Sequence, residues 1–431
     1  MSIATEVGSP GVATRSRSLD IFFVTGFLFV GGGFVLLTSG ADLRLAPEPG
    51  AGSPLSQAIL AFFYCTGSIL LLANVHAKHV LERAWPVLLL PLLALISVSW
   101  SAEPFLSFRR ASAFAGTILF GLSLGAAYSQ RVVIGLTVRS LALACGFSCL
   151  IVVVAPLYGV HQPGDAIQSV HAGLWRGIFG HRNTLGLWAG VSASSILIFG
   201  RFAFERLATR GLALAVSLAC VAGANSGGGH VVCAAMILLS LLLLGFIAQP
   251  AERRELYIFT AVLALIIVLL LRDAIETSVL YVLGKNSDLT GRTLLWYYVV
   301  QITEKTSSLV GGGYFVGFFS LNTEIAGLLQ TSFSSAHNGY LETFVYMGYV
   351  GVAVCVASLL WLAYRAFRQM LDRTGDDATC RIFPLAVIMV IVIHNFVEST
   401  IVLPNNLNAL LIGVVAGMLA LPGDGRTERS A

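Results

Sequence analysis

Charge is what this sequence has least of. Asp, Glu, Lys and Arg make up 11% of its 431 residues, against 56% for hydrophobic side chains. That is too little to cover the surface of a water-soluble protein of this length. Its cysteines show no CxxC and no Cys/His spacing: Cys65, Cys145, Cys149, Cys220, Cys233 and Cys355 fall in apolar runs and Cys380 in a basic loop. Neither a disulfide framework nor a zinc site is suggested, and small apolar packing between helices is the bland account. Internal repeats, low-complexity tracts and a separate soluble domain are missing too. Near the start, no small-residue cleavage site follows a short apolar core, so the first span is expected to stay uncleaved. The net charge of +4 gives no reason to invoke nucleic acid.

What is there instead is a succession of apolar stretches. Each is about 20 residues long, the length that crosses ~30 Å of hydrocarbon as a helix. Lipid offers backbone groups no partners, so helices are the expected form. The reading is an all-α polytopic membrane protein of about twelve transmembrane helices. They fall near 20–39, 56–75, 84–99, 111–129, 132–155, 184–200, 211–224, 230–248, 256–272, 340–364, 383–399 and 404–421. The seventh is short and glycine-rich. Sixteen Lys and Arg residues fall on one side, mostly in short segments, and nine on the other, spread over longer loops. By the positive-inside rule both termini are cytoplasmic. A single transmembrane domain at 20–421 is thus expected between cytoplasmic tails at 1–19 and 422–431. It carries outer loops at about 156–183 and 273–338, the second between the ninth and tenth spans. Loops that long are usually functional or disordered, and LTGRTLLWYYVVQI in the second is apolar enough to pack as a short helix, against disorder there.

Polar residues gather on the outer face. Three helices run inward from it: one begins after SWSAEPFLSFRRAS with Arg109 and Arg110, one after LWRGIFGHRNTLG with Arg176, His181, Arg182 and Asn183, and one with AHNGYLET, carrying His337 and Asn338. Their unpaired N–H groups and partial positive charge favour an anion at that surface, with Asn183 and Asn338 suited as N-caps. The bland alternatives stand beside this. Arg109 and Arg110 either snorkel to head groups or line a site. Arg292 is either a lone loop charge or a member of the site, and His337 either caps a helix or reacts. Glu342 shares a face with Asn338 and Tyr346; a carboxylate one turn inside a span calls for a partner or a wet cavity. Glu398 is the strongest candidate in the late segment IHNFVEST. The outer loops hold no DxD-like carboxylate pair, so a pyrophosphate there would be neutralised by arginine forks and not by a divalent ion.

These segments together resemble the O-antigen ligase and Wzy-type polymerase superfamily, and especially its exopolysaccharide polymerase branch. SVSWSAEPFLSFRRAS resembles its Ser–x–x–Trp–Ser stretch (Ser97, Trp100, Ser101). RGIFGHRNTLG (Arg176–Gly186) resembles its R-G-x-F-x-H-x-N-x-x-G segment. LTGRTLLW is similar to its loop Gly–Arg motif at Gly291 and Arg292. AHNGYLETFVYMGYVGV resembles the His–Asn segment with Gly348 and Gly351, and IHNFVEST the late acidic motif. The likeness runs over roughly 90–410, in order. One departure is NSGGGH: many relatives carry arginine after this serine, where here Ser226 is followed by Gly227.

The resemblance implies a GT-C-like, metal-independent membrane glycosyltransferase without a cofactor, in the bacterial inner membrane with its active site facing the periplasm. Its donor is a glycan on undecaprenyl pyrophosphate and its acceptor a sugar hydroxyl. Polymerisation of repeat units into exopolysaccharide or a related surface glycan is the expected activity, with O-antigen ligation to lipid A–core as the alternative. Membrane lipids, a chain-length regulator and a flippase are the implied partners. Arg176, Arg182 and Arg292 would hold the leaving diphosphate, and His337 would orient or deprotonate the acceptor. Glu342 would fix that imidazole or bind sugar, and Glu398 would bind acceptor, with His181, Asn183, Asn338, Arg109 and Arg110 as further substrate contacts. A transporter is the rival from another class; it would need polar groups at mid-membrane on broken helices.

Overall fold

The computed structural model describes residues 16–40, 53–166, 169–260, 289–329, 333, 335–372 and 377–421. Among the described residues the fold is helical, with one isolated bridge between Val160 and Trp175. In chain order the α-helices are α1 Arg17–Val30, α2 Val35–Ser39, α3 Pro54–Ala73, α4 Ala77–Ile96, α5 Pro104–Ala127, α6 Gln130–Val154, α7 Pro156–Gly159, α8 Arg182–Phe199, α9 Leu207–Ala224 and α10 Gly227–Ala248. Beyond residue 288 they are α11 Leu289–Ser307, α12 Gly317–Leu329, α13 Gly339–Leu371, α14 Ala378–His394 and α15 Leu407–Ala420.

Eight of the described helices are long and apolar enough to cross a membrane: α3 to α6, α8 to α10, and α13; α14 and α15 are shorter apolar helices. Of the expected span at 256–272, only 256–260 fall within the described residues. The span expected at 20–39 is two pieces, α1 and α2, interrupted by the run Gly31–Gly33. The segment LTGRTLLWYYVVQI is helical, as α11, and continues to Ser307. The starts are set by short polar caps. Ser53 accepts from Ser56 N ahead of Pro54, Asn338 from Tyr340 N and Leu341 N, and Asn406 from Asn408 N.

Every residue of α15 is buried. A helix apolar all round belongs inside a bundle, and α15 runs against α5 along a seam of small residues. Gly121 and Gly125 of α5 face Gly413 and Gly417 of α15. A Cβ on any of them would overlap a carbonyl of the opposite helix, at Leu410, Val414, Ile118 and Leu122 respectively. Four-residue glycine spacing on both partners is how membrane helices bring backbones together. Gly125→Leu is therefore expected to lower the thermal midpoint of the detergent-purified protein, since overpacking a tight interface costs about 1–3 kcal/mol or more. An unchanged midpoint would show that the two helices separate at little cost.

The second backbone feature lies inside α13. At Gly348 (φ 62°, ψ −163°) the helix breaks and resumes. The stretch 308–313 threads the break: Tyr349 N donates to Ser308 O (2.9 Å) and Gly312 N to Val345 O (2.9 Å). A helix opened within a membrane is tolerated where other protein backbone takes up the freed groups, and here a neighbouring loop does so.

Candidate functional site

The N-caps of α8, α13 and α15 (His181, Asn338, Asn406) and the last residue of α14 (His394) meet at one end of the bundle. They enclose a cavity of about 300 Å³ lined by His181, Asn183, His337, His394, Glu398 and Asn406 among others. Two segments distant in sequence are laced together to build it. Gly339 N donates to Asn395 O (2.8 Å), and Asn338 N to Ser399 Oγ (2.9 Å). Beneath them Asn395 Oδ1 accepts from Thr400 N (3.0 Å) and Ile401 N (2.8 Å), and Asn408 Nδ2 donates to Thr400 Oγ1 (2.7 Å). Asn395 and Asn408 are fully buried, and a satisfied buried network of this kind fixes geometry.

Glu398 is the hub. Its Oε2 lies 3.4 Å from His337 Nδ1, and its Oε1 accepts from Asn183 Nδ2 at 2.8 Å. The Arg292 guanidinium stands 3.9 Å from the same Oε1 and donates to Val397 O at 2.9 Å, its side chain one-third exposed at 33%. His337 itself is held with φ 49°, a conformation that costs a non-glycine residue energy and concentrates at functional sites.

Hydrogen bonding assigns the imidazole tautomers. His181 Nδ1 accepts from Asn183 N (3.0 Å), which leaves Nε2 as its N–H. His394 Nδ1 faces Asn408 Nδ2 (3.1 Å) and Thr400 Oγ1 (3.2 Å); an amide N–H can only donate, so Nδ1 accepts and Nε2 again carries hydrogen. His337 is opposite in sense. Its Nδ1 faces a carboxylate, so Nδ1 donates and Nε2 keeps its lone pair. The cavity therefore has two histidine donors and one histidine acceptor.

The other expected site residues fall elsewhere. Asn183 is not the cap of α8, which is His181; its side chain instead reaches Glu398. Asn338 does cap α13. Arg176 is 2% exposed and does not line the cavity. Its Nε donates to Tyr158 O (2.8 Å), Nη2 to Leu157 O (3.0 Å) and Nη1 to Asp165 Oδ2 (2.7 Å). Arg182 turns to the α9–α10 turn, donating to Asn225 O (2.7 Å), and Ser226 of that turn donates to Asn183 Oδ1 (3.3 Å). Glu342, expected to face a wet cavity, is 2% exposed, accepting from Tyr346 OH (2.5 Å) and Ala336 N (3.3 Å); Glu398 and not Glu342 contacts the imidazole of His337. Arg109 and Arg110 line a different cavity. Arg139, within α6, donates to Ala203 O (2.7 Å). His394 and the Asn395–Thr400–Asn408 network are site residues that the late motif IHNFVEST largely contains but that its pattern alone does not single out.

At the edge of the cavity His161 and His171, which do not line it, pack ring against ring with His181, which does, with centroids 5.3 to 5.7 Å apart. His161 Nε2 accepts from Arg182 N (3.2 Å), while Asp165, paired with Arg176, stands 3.5 Å from its Nδ1. Arg176 thus steadies the start of α8 through Asp165 and His161. Burial, with the Arg176 charge and the neighbouring imidazole, pushes His161 down to about 4, and burial with the two other imidazoles pushes His181 down to about 3; burial and Arg182 lower His171 as well. An imidazole with an ordinary value of 6.5 takes up a proton in the opened loop before it does so in the closed one. The loop is therefore at full stability above pH 6.5 and loses stability as pH falls towards 4. Hydrogen exchange over 161–181 is expected to show more opening at pH 5 than at pH 7 after correction for intrinsic rates. Equal protection at both would contradict this.

Residues 212–356 match the family model described as O-antigen ligase. Over 355 residues the chain is 24% identical to the exopolysaccharide production protein ExoQ of Rhizobium meliloti (strain 1021), covering 79% of this chain and 77% of that one. The chain is thus similar to the O-antigen ligase family over that segment, and over most of its length to a protein of exopolysaccharide production. Arg292 and His337 lie inside the matched family segment; Asn183 and Glu398, which the fold brings to them, lie outside it.

Proposed function

We propose that the chain polymerises oligosaccharide repeat units carried on undecaprenyl pyrophosphate, at the outer face of the bacterial inner membrane, with both termini in the cytoplasm. The observation that carries the reading is His337 set against Glu398, with Arg292 at the same carboxylate, on a cavity where helix N-termini converge. The acceptor hydroxyl hydrogen-bonds to His337 Nε2. Its oxygen forms the bond to the anomeric carbon of the donor as the bond from that carbon to the diphosphate oxygen breaks, with inversion. The hydroxyl proton passes to His337, and the imidazolium is stabilised by Glu398. The bonding electrons leave with the diphosphate, whose growing charge is met by Arg292, by the N–H of His181 and by the positive start of α8. Asn183 holds Glu398 from the side opposite His337, and Arg176 acts as a positioning residue through Asp165 and His161.

Arginine and helix ends carry the charge on this reading, so chelator is expected to leave the rate unchanged; strict magnesium dependence would count against it. A flippase that delivers units and a chain-length regulator are the partners it calls for. Ligation of glycan to lipid A–core is the second reading, favoured by the description of the matched family. Glycan analysis of a deletion strain separates the two. Loss of long polymer with intact lipopolysaccharide is expected; core lipid A stripped of its polymer would instead establish ligation. Solute flux in proteoliposomes free of lipid-linked sugar would favour a transporter over both.

A further inference from the structure

A second cavity, of about 430 Å³, opens at the same end of the bundle, between α2, α3 and α5. That volume lies within the ~300–1,000 Å³ of small-molecule sites, and it exceeds that of the reaction cavity. Its lining is two-natured. Thr38, Ser56, Gln57 and Arg109 contribute polar groups to it, and Phe29 and Leu60 apolar surface. Arg110 adds a second arginine. Its guanidinium lies 4.5 Å from the centroid of the Phe315 ring, its Nε is buried without a hydrogen-bond partner, and among the described residues it makes no ion pair. A half-buried cation without a counter-charge is costly, and an anion entering beside it recovers that cost.

Only a thin partition separates the two cavities. Asn405 lines the second and its neighbour Asn406 the first. The partition is fixed in place: Asn405 N donates to Thr117 Oγ1 (3.1 Å), Tyr64 OH donates to Asn405 Oδ1, and Asn406 caps α15. A lining that combines two arginines with apolar side chains fits an amphiphile with a phosphate head.

We propose that this cavity holds the diphosphate of a second polyprenyl-linked glycan, the acceptor, while the donor diphosphate leaves from the cavity of His337, beside the Arg292 that stands at Glu398. This rests on the polymerase reading. There both reactants are lipid-linked, and the acceptor reacts through a hydroxyl remote from its own diphosphate. That diphosphate needs an anchor beside the reaction cavity but outside it, and the Arg109–Arg110 cavity across the Asn405–Asn406 partition is so placed. An ordinary anionic phospholipid shares the head-group chemistry and is separated from the proposal by experiment.

Native mass spectrometry of the full chain in detergent, titrated with undecaprenyl diphosphate over a constant excess of phosphatidylglycerol, counts the sites. Two bound undecaprenyl diphosphates per wild-type chain are expected. One is expected for the Arg109→Gln/Arg110→Gln variant, and one for Arg292→Gln, each with a helical circular dichroism spectrum and thermal midpoint close to wild type. A wild-type count of one, removed by Arg292→Gln, would overturn the second site and leave the polymerase reading standing; a count of zero would sink both. Two molecules still bound to Arg109→Gln/Arg110→Gln, or a second molecule displaced by phosphatidylglycerol, would also overturn the proposal. Should the double variant misfold, the single Arg110→Gln variant is read in its place, with the second dissociation constant expected to rise at least tenfold and an unchanged constant counting against the site.

Discussion

Replacing Arg292 with alanine is expected to slow glycosyl transfer by ~10²–10³-fold, the usual loss when one preorganised donor to a developing negative charge is removed. The fold should tolerate the change. Arg292 is one-third exposed, and the bond it donates, to Val397 O, is to a backbone group at the site's edge. Because the diphosphate gains charge as its bond to the sugar breaks, the loss should appear mainly in kcat, with kcat/KM falling in step. Lysine should restore only part of the rate, since an ammonium supplies the charge without the planar fork that suits two phosphate oxygens. The measurement is single-turnover extension of lipid-linked repeat units by reconstituted protein. Loss confined to KM would reassign Arg292 to simple ground-state binding, and an unaltered rate would remove it from the site.

The parts legible from sequence were those that depend on local pattern. Apolar length gave the helices, and the order of short polar motifs gave two of the helix starts that meet at the cavity, those of α8 and α13; the third, α15 at Asn406, carries no such motif, and Arg109 and Arg110 of α5 line a different cavity. Pairing across the chain was not legible. Arg176 reads as a free cation amid glycines, yet its partner Asp165 sits eleven positions earlier across a turn, and together with two carbonyls it occupies the whole guanidinium. Helical spacing correctly put Glu342 on one face with Tyr346, but that spacing is silent on whether the face meets water; the tyrosine hydroxyl and Ala336 N enclose the carboxylate instead. The carboxylate that reaches His337 comes from 61 residues further on. Nothing near Arg109 and Arg110 in the sequence reveals that they line a cavity with Asn405, apart from the one that Asn406 lines. No local pattern pairs the glycines of α5 with those of α15; only the fold shows that the two stretches face each other.

The His337–Glu398 pair should behave as one unit under mutation. His337→Ala removes the proposed proton acceptor, and general-base loss typically costs ~10²–10⁴-fold. Glu398→Gln keeps the size of the side chain but offers an amide N–H to His337 Nδ1 in one of its two orientations. That orientation would move the imidazole hydrogen to Nε2, facing the acceptor with a donor where a lone pair is needed. It would also remove the charge that stabilises the imidazolium and the counter-ion of Arg292. Glu398→Gln is therefore expected to lose nearly as much rate as His337→Ala, with the double variant no slower than His337→Ala alone. Independent roles would instead multiply the two losses. Asn183→Ala is the control for mere loosening: it removes the bond to Oε1 (2.8 Å) but leaves the carboxylate and the imidazole facing each other. Its loss should be small, of the order of tenfold, corresponding to about 1.4 kcal/mol. If Glu398→Gln were as mild as Asn183→Ala, or if the double variant showed the product of the two losses, Glu398 would be a binding residue for sugar and His337 would act without it.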